Sequence, residues 1–421
     1  MCIRDRNKDV AGHIEWGRML KKLNPYTIKK GLRYFKHYGP KEFWIRLHER
    51  FEPEEVPYGP WYEAYIPDEA ELEKQRHHRF SSAPLISVAV PAYRTPETFL
   101  RQMIDSLLAQ TYGNWELCIA NGSPDDEQMK QVLAEYTQRD SRIRVQELKE
   151  NLGIAGNTNA ALAMTEGEFA GILDHDDLLA PNALYEIALA LEKDPELDAV
   201  YTDEDKVTTD LSEHFQPHLK PDFNLDLLRS NNYICHFFVA RQSVIRKAGG
   251  FRQEFDGAQD YDFIFRCIEA VSPEEICHVP KILYHWRCHM DSTAFNPESK
   301  LYAFEAGRRA IEEHYRRLGI PARVENASFY GMYRTIYEWK KEPLVSIIIP
   351  NKDHAEDLKL CLDSIFTKSD YRNFEVVIVE NNSTEPETFA YYKELEAGHE
   401  NVRVVYYEGG FNYSKINNFC L

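Results

Sequence analysis

Much that would place this chain at a glance is missing. No uninterrupted apolar run approaches the roughly 20 residues that a membrane-spanning helix requires, and no signal peptide is visible. There is no G-x-x-x-x-G-K-S/T loop, and Gly153-Ile154-Ala155-Gly156 is not a G-x-G-x-x-G, so both common nucleotide cradles are absent. The eight cysteines (Cys2, Cys118, Cys235, Cys267, Cys277, Cys288, Cys361 and Cys420) show no C-x-x-C spacing. They read as reduced, mostly buried thiols of a cytoplasmic protein. Positive charge is scarce: 50 Lys and Arg face 68 Asp and Glu, a net charge of −18. Phosphate neutralisation needs clustered cations, so this balance argues against a nucleic-acid partner.

What remains is a soluble globular composition, 43% hydrophobic, in a chain of 421 residues with room for two or three domains. Met1-Cys2-Ile3-Arg4-Asp5-Arg6 matches the translation of a sequencing-library adapter, and residues 1–6 are read as an artefact outside the fold. Residues 7–82 read as a helical extension and connector. Its basic stretch (Lys21, Lys22, Lys29, Lys30, Arg33, Lys36) interleaves with apolar residues. Such a helix either packs on the next domain or lies peripherally on the anionic cytoplasmic face of a membrane.

From Pro84 the pattern becomes regular. Apolar strands at Leu85–Val90, Trp115–Ala120, Ile143–Leu148, Phe169–Leu173 and Ala199–Thr202 alternate with helices. One helix starts at Thr95-Pro96-Glu97 with Thr95 as cap, and another near Asp126. Alternation of this kind predicts an α/β fold, a mostly parallel sheet covered on both faces. Ligands then bind beyond the carboxyl ends of the strands. His214–Asn232 reads as a polar, exposed segment and Tyr233–Ala240 as a strand. A helix follows Gly257, Ile282–Trp286 reads as a strand, and Lys300–Leu318 as an amphipathic helix ended by Gly319.

The chain then repeats itself. Pro84-Leu85-Ile86-Ser87-Val88-Ala89-Val90-Pro91 returns as Pro343-Leu344-Val345-Ser346-Ile347-Ile348-Ile349-Pro350, and Asn121-Gly122-Ser123 as Asn381-Asn382-Ser383. The domains expected are therefore 83–320, a linker at 321–342, and at 343–421 the truncated start of a second copy.

Without a glycine cradle, a phosphate is commonly handled by a metal, for which Asp-x-Asp offers hard oxygen ligands. Three pairs compete: Asp174/Asp176, Asp203/Asp205 and Asp260/Asp262. Only the first directly follows an apolar strand. The second has Lys206 beside it to compensate and reads as a solvated turn. The third opens a helix, where acids complement the dipole.

Six motifs in order resemble the family 2 glycosyltransferases with the GT-A fold, a Rossmann-like, mostly parallel sheet. They are Val90-Pro91-Ala92-Tyr93, Asn121-Gly122-Ser123, Asn151-Leu152-Gly153 with Asn157 and Asn159, Asp174-His175-Asp176-Asp177, Gln259-Asp260-Tyr261-Asp262, and Tyr284-His285-Trp286-Arg287-Cys288-His289. The tandem arrangement is similar to that of bacterial enzymes that build surface polysaccharides. The resemblance implies that Ala92 and Tyr93 border the nucleotide base and that Asn121 hydrogen-bonds it. Pro91, Ser123, Gly153, Asn157, Asp174 and His175 complete the implied nucleotide-sugar set. Asp174, Asp176 and His289 would hold Mg²⁺ or Mn²⁺, with His285 the weaker candidate ligand, and Asp260 would be the general base. Two departures are Asn121, where the family usually has Asp, and Gln259, where it often has Glu.

The implied reaction is a metal-dependent, inverting transfer of sugar from a nucleotide-diphosphate donor to a hydroxyl of a glycan or lipid-linked acceptor. Two other readings stay open. A nucleotidyltransferase acting on sugar phosphates would carry a Gly-rich basic loop where Tyr93-Arg94-Thr95-Pro96 stands. A catalytically silent sugar-nucleotide-binding module would not need Asp174, Asp176, Asp260 and His289 together.

Overall fold

The computed structural model of the chain describes residues 28, 31–32, 34–36, 39–40, 43–44, 47, 58–288 and 301–420. It divides into two compact units at Ile336/Tyr337. The first begins, after the partly described basic segment, with helices α1 (Tyr58–Tyr65) and α2 (Glu69–His77). An alternating series follows: β1 (Ile86–Ala92), α3 (Glu97–Leu108), β2 (Trp115–Asn121), α4 (Glu127–Arg139), β3 (Ile143–Glu147), α5 (Gly153–Ala163) and β4 (Phe169–Ile172). Every residue of β1 and of β2 is buried, as a parallel sheet sandwiched between helices demands. Helix α3 supplies one such cover, turning Leu100, Met103, Ile104 and Leu107 onto the sheet at helical spacing.

The later elements are β5 (Leu178–Leu179), α6 (Ala183–Lys193), β6 (Ala199–Thr208), β7 (His214–His218), α7 (Leu225–Leu228), β8 (Phe238–Arg241), α8 (Gln242–Ala248), α9 (Gln259–Ile268), β9 (Ile276–Cys288) and α10 (Leu301–Leu318). Strand order is β3-β2-β1-β4-β8-β6-β9-β5, with β7 paired to β6. The run β3 to β4 is parallel, as is β6 with β9, whereas β8, β7 and β5 enter antiparallel. Antiparallel β8 brings the loop before it to the carboxyl end of β4, which decides the composition of the site.

Several local expectations change. The N-cap position of α3 is Pro96, without a side-chain cap, because the Thr95 hydroxyl is engaged by His175 Nδ1 at 3.0 Å. The strand expected to end at Thr202 runs on to Thr208, and the strand expected over Tyr233–Ala240 is formed only at Phe238–Arg241. The segment 214–232 is not uniformly exposed: it forms β7 and α7 and buries Lys220 and Leu228. Of the seven described cysteines, all free, only Cys118 and Cys267 are buried. Strands β10 (Ala322–Asn326) and β11 (Tyr333–Tyr337) pair as a hairpin over most of the stretch read as a linker, and Tyr333 N–H donates to Ser230 O. Among the described residues no helix is long and apolar enough to cross a membrane.

The second unit repeats the opening of the first: β12 (Val345–Asn351), α11 (Ala355–Lys368), β13 (Phe374–Glu380), α12 (Pro386–Gly398), β14 (Val402–Tyr406) and α13 (Tyr413–Asn418), with parallel order β12-β13-β14. Register corrects one internal match. Ala92 pairs with Asn121 and Asn351 with Glu380. Ser123 N–H caps Asn121 Oδ1, and Ser383 N–H caps a Glu380 carboxylate oxygen. The counterpart of Asn121 is thus Glu380, not Asn381, because one extra residue lies between Glu380 and Ser383. At this place the second unit carries a carboxylate and the first an amide.

Candidate active site

The carboxyl ends of β1, β2 and β4 form one rim. Pro91 and Ala92 are buried in β1, and Tyr93 emerges half-exposed beyond them. Asn121 is fully buried: its Oδ1 accepts from Ser123 N–H at 2.9 Å and its Nδ2 donates to Glu147 at 2.8 Å. Ser123 Oγ accepts from Arg94 N–H at 2.7 Å, tying the turn after β1 to that after β2. Asn157 also works on the backbone. It accepts from Leu152 N–H at 3.0 Å and donates to Asn151 Oδ1 at 2.9 Å, shaping the turn into Gly153, whose φ of +75° suits glycine.

Beyond β4 the acids separate by environment. Asp177 is buried and committed, accepting from Tyr284 OH at 2.5 Å and Arg287 N–H at 2.8 Å. The Asp174 side chain is 42% exposed and faces a cavity lined also by Cys235, His236, Gln259 and Asp260. Crowding by the surrounding protein raises its pKa above the ordinary carboxylate value; His236 opposes this, and Asp176 and Asp260 add to it. Asp174 and Asp260, from opposite ends of the first unit's site sequence, therefore share one cavity. Asp260 lies in the first turn of α9, its Oδ2 accepting from Asn232 Nδ2 at 2.7 Å. Its partner Asp262 turns away into the core, between Arg252 and Arg266. His289 lies outside the described residues.

The pair Asp203/Asp205 is not a solvated turn. Asp203, Glu204 and Asp205 all sit buried in β6. Lys206 does not compensate them, since its ammonium goes to Gln216 and lies over the Trp286 ring. Imidazoles and a buried lysine do so instead. His278 meets Asp203 at 2.8 Å, and His214 and His285 flank Asp205 at 2.8 and 2.6 Å. Tyr58 OH donates to Asp205 at 2.7 Å and Tyr62 OH meets His285 Nε2 at 3.1 Å, so α1 is anchored to the sheet through this cluster. His285 thereby belongs to Asp205 and not to Asp174.

Asn232, Cys235, His236, Glu204 and Lys220 were not singled out from the sequence. The fully buried Lys220 ammonium bonds Glu204 at 3.3 Å, Ile234 O at 2.7 Å and His236 O, which fixes the loop before β8. Burial alone would push Glu204 up, but Lys220, His218 and His236 hold it well below the ordinary carboxylate value. Burial also disfavours a protonated His236, yet Cys235 and Glu204 raise its pKa well above the usual imidazole range. The only signal in the sequence was position: this loop precedes the strand that pairs with β4.

The family model for glycosyl transferase family 2 matches residues 87–249 and 346–420, more than half of the chain and both of its units. The chain belongs to that family. The mixed sheet with its parallel β3-β2-β1-β4 half is the family's GT-A fold. It is 40% identical to an uncharacterized protein, y4gI, of Sinorhizobium fredii, over 81% of this chain and 37% of that one. The O-antigen biosynthesis protein RfbC of Myxococcus xanthus is 35% identical over 96% of this chain and 31% of its own length. The chain thus spans well under half the length of these relatives. Among solved structures, S. aureus TarS 1–349 in complex with UDP-GlcNAc aligns at 19% identity and TM-score 0.44, covering 54% of this chain and 66% of that one.

Proposed function

We propose that the first unit transfers a sugar, with inversion, from a nucleotide-diphosphate donor to a hydroxyl of a glycan or lipid-linked acceptor, in the synthesis of a bacterial surface polysaccharide. The observation that carries this reading is the shared cavity of Asp174 and Asp260. Family membership supplies the reaction class, and the name of the Myxococcus relative supports the polysaccharide setting.

Asp260, at a helix start and oriented by Asn232, takes the proton of the acceptor hydroxyl as its oxygen attacks the anomeric carbon. The bond from that carbon to the diphosphate oxygen breaks on the opposite face, and the nucleoside diphosphate leaves with the electron pair. The rim at Tyr93, beyond the buried Ala92 and Asn121, receives the nucleotide. Asp174 and Asp176 would hold a divalent cation. The fit is chemical: these are hard oxygen donors, and the carboxylates of Asp176 and Asp260 add to the burial that raises the Asp174 pKa, a repulsion a cation relieves. When bound, Mg²⁺ or Mn²⁺ supplies charge neutralisation at the leaving diphosphate.

The test is donor turnover by the purified chain against a panel of nucleotide sugars with Mn²⁺. Asp260→Asn abolishes transfer, by roughly 10²–10⁴-fold as expected for a lost general base, while donor binding by calorimetry is retained. Asp174→Ala weakens Mn²⁺-dependent nucleotide binding. Wild-type turnover in Asp260→Asn, or release of pyrophosphate in place of nucleoside diphosphate, refutes the proposal.

A further inference from the structure

Among the imidazole–carboxylate contacts of the first unit, those at Asp205 and at Asp174 differ in kind. Around Asp205 the contacts to His285 Nδ1 and His214 Nδ1 are 2.6 and 2.8 Å. Those are hydrogen-bond lengths, and Tyr58 and Tyr62 satisfy the cluster further. At the cavity, His236 Nε2 stands 3.9 Å from Asp174 Oδ2. That is too long for a hydrogen bond. Ligands about 2.1 Å from one Mg²⁺ or Mn²⁺ lie about 3 Å apart when adjacent and about 4.2 Å apart when opposite, a range that includes this span.

The His236 ring is also held as a ligand must be. Its Nδ1 faces Glu204 Oε2 at 3.3 Å, and the same carboxylate oxygen accepts the His236 backbone N–H at 3.2 Å. The ring stacks on Tyr284 at 4.6 Å with only 10° between planes, and Tyr284 is itself fixed by its bond to Asp177. A carboxylate on one ring nitrogen fixes the tautomer and aims the other nitrogen at a metal. Glu204 cannot easily leave this task, because buried Lys220 pairs with it.

We propose that His236 Nε2 is a ligand of the divalent cation held by Asp174, oriented by Glu204. This rests on the metal-dependent reading above and adds to it a residue from the loop before β8. The imidazole binds as the neutral tautomer, with Nδ1 turned to Glu204 and Nε2 to the ion. Cys235 Sγ also lies near the ring, 3.3 Å from Nδ1. The same loop carries Asn232, which orients Asp260. One loop therefore joins the cation to the general base.

The test is Mn²⁺ binding to the full chain, read by calorimetry and by electron spin-echo modulation from imidazole nitrogen. His236→Ala and His236→Gln weaken Mn²⁺ affinity about 10-fold or more, with circular dichroism confirming that each variant is folded. In His289→Ala the imidazole modulation persists, and adding His236→Gln removes it. If the modulation is already lost in His289→Ala, the assignment is overturned. It is equally overturned if both His236 variants bind Mn²⁺ as wild type while Asp174→Asn does not bind it. That last pattern leaves the metal reading standing. Mn²⁺ binding that Asp174→Asn leaves unchanged sinks the metal reading itself.

Discussion

Asp260 and Asp262 stand two residues apart on the same helix turn, yet their environments predict opposite consequences of the same substitution. Asp262 is fully buried and accepts from Arg252 Nε at 3.0 Å and from Arg266 Nε and Nη2 at 3.0 and 2.7 Å, with a further short contact to Arg252 Nη2. Asp262→Asn keeps the shape and removes the charge. Arg252, 27% exposed, can turn toward Glu254 and Glu313. Arg266 is only 8% exposed, and its other bond goes to Ala248 O. The cost is thus mainly one buried guanidinium without a counter-charge, about 3–5 kcal/mol. For a unit of this size that is a fall in Tm of roughly 10 °C. Asp260→Asn leaves an amide that accepts from the same Asn232 nitrogen in a half-exposed setting, so its stability stays within about 0.5–1 kcal/mol. Scanning calorimetry of the full chain, wild type beside each variant, compares the two. Equal midpoints, or Asp260→Asn melting below Asp262→Asn, would show that the division of labour within this Asp-x-Asp is wrong.

Asn232→Ala removes the amide that fixes the Asp260 carboxylate; a hydrogen bond to a charged group is worth about 1.5–3 kcal/mol, so kcat falls at least 10-fold while donor KM stays near wild type in steady-state assays. A rise in donor KM with kcat intact would place Asn232 in the donor pocket instead. Gly171→Ala puts a methyl 2.6 Å from Phe237 Cζ and 2.8 Å from Val239 Cγ2. Overpacking of this kind costs about 1–3 kcal/mol. Because Phe237 adjoins His236, activity should fall along with the melting temperature, and an unchanged melting curve would count against the packing argument.

Strand and helix positions were legible because burial writes itself into local sequence. The apolar runs at Ile86, Trp115 and Phe169 became the buried parallel half of the sheet, and the internal repeat was visible for the same reason. Capping and register were less legible. Thr95 is a good cap by local rule, but His175, distant in sequence, takes its hydroxyl. The one-residue insertion that makes Glu380 the counterpart of Asn121 is invisible until the strand pairs are drawn.

The misreading of Asp203-Glu204-Asp205 has a more general physical cause. Three carboxylates in a row cannot be buried with their own neighbours as partners, since alternate side chains of a strand face opposite sides, and so the local reading sends them to solvent. What buries them is convergence: Lys220 from beyond β7, His214 on β7, and His278 and His285 on β9. No window of sequence holds that set. The same convergence joins β4 to the loop before β8. It explains why the placement of Asp174 and Asp260, each at the end or start of its own element, could be read from the chain, whereas that of His236 near Asp174 could not. That position follows only from the antiparallel pairing of β8 with β4.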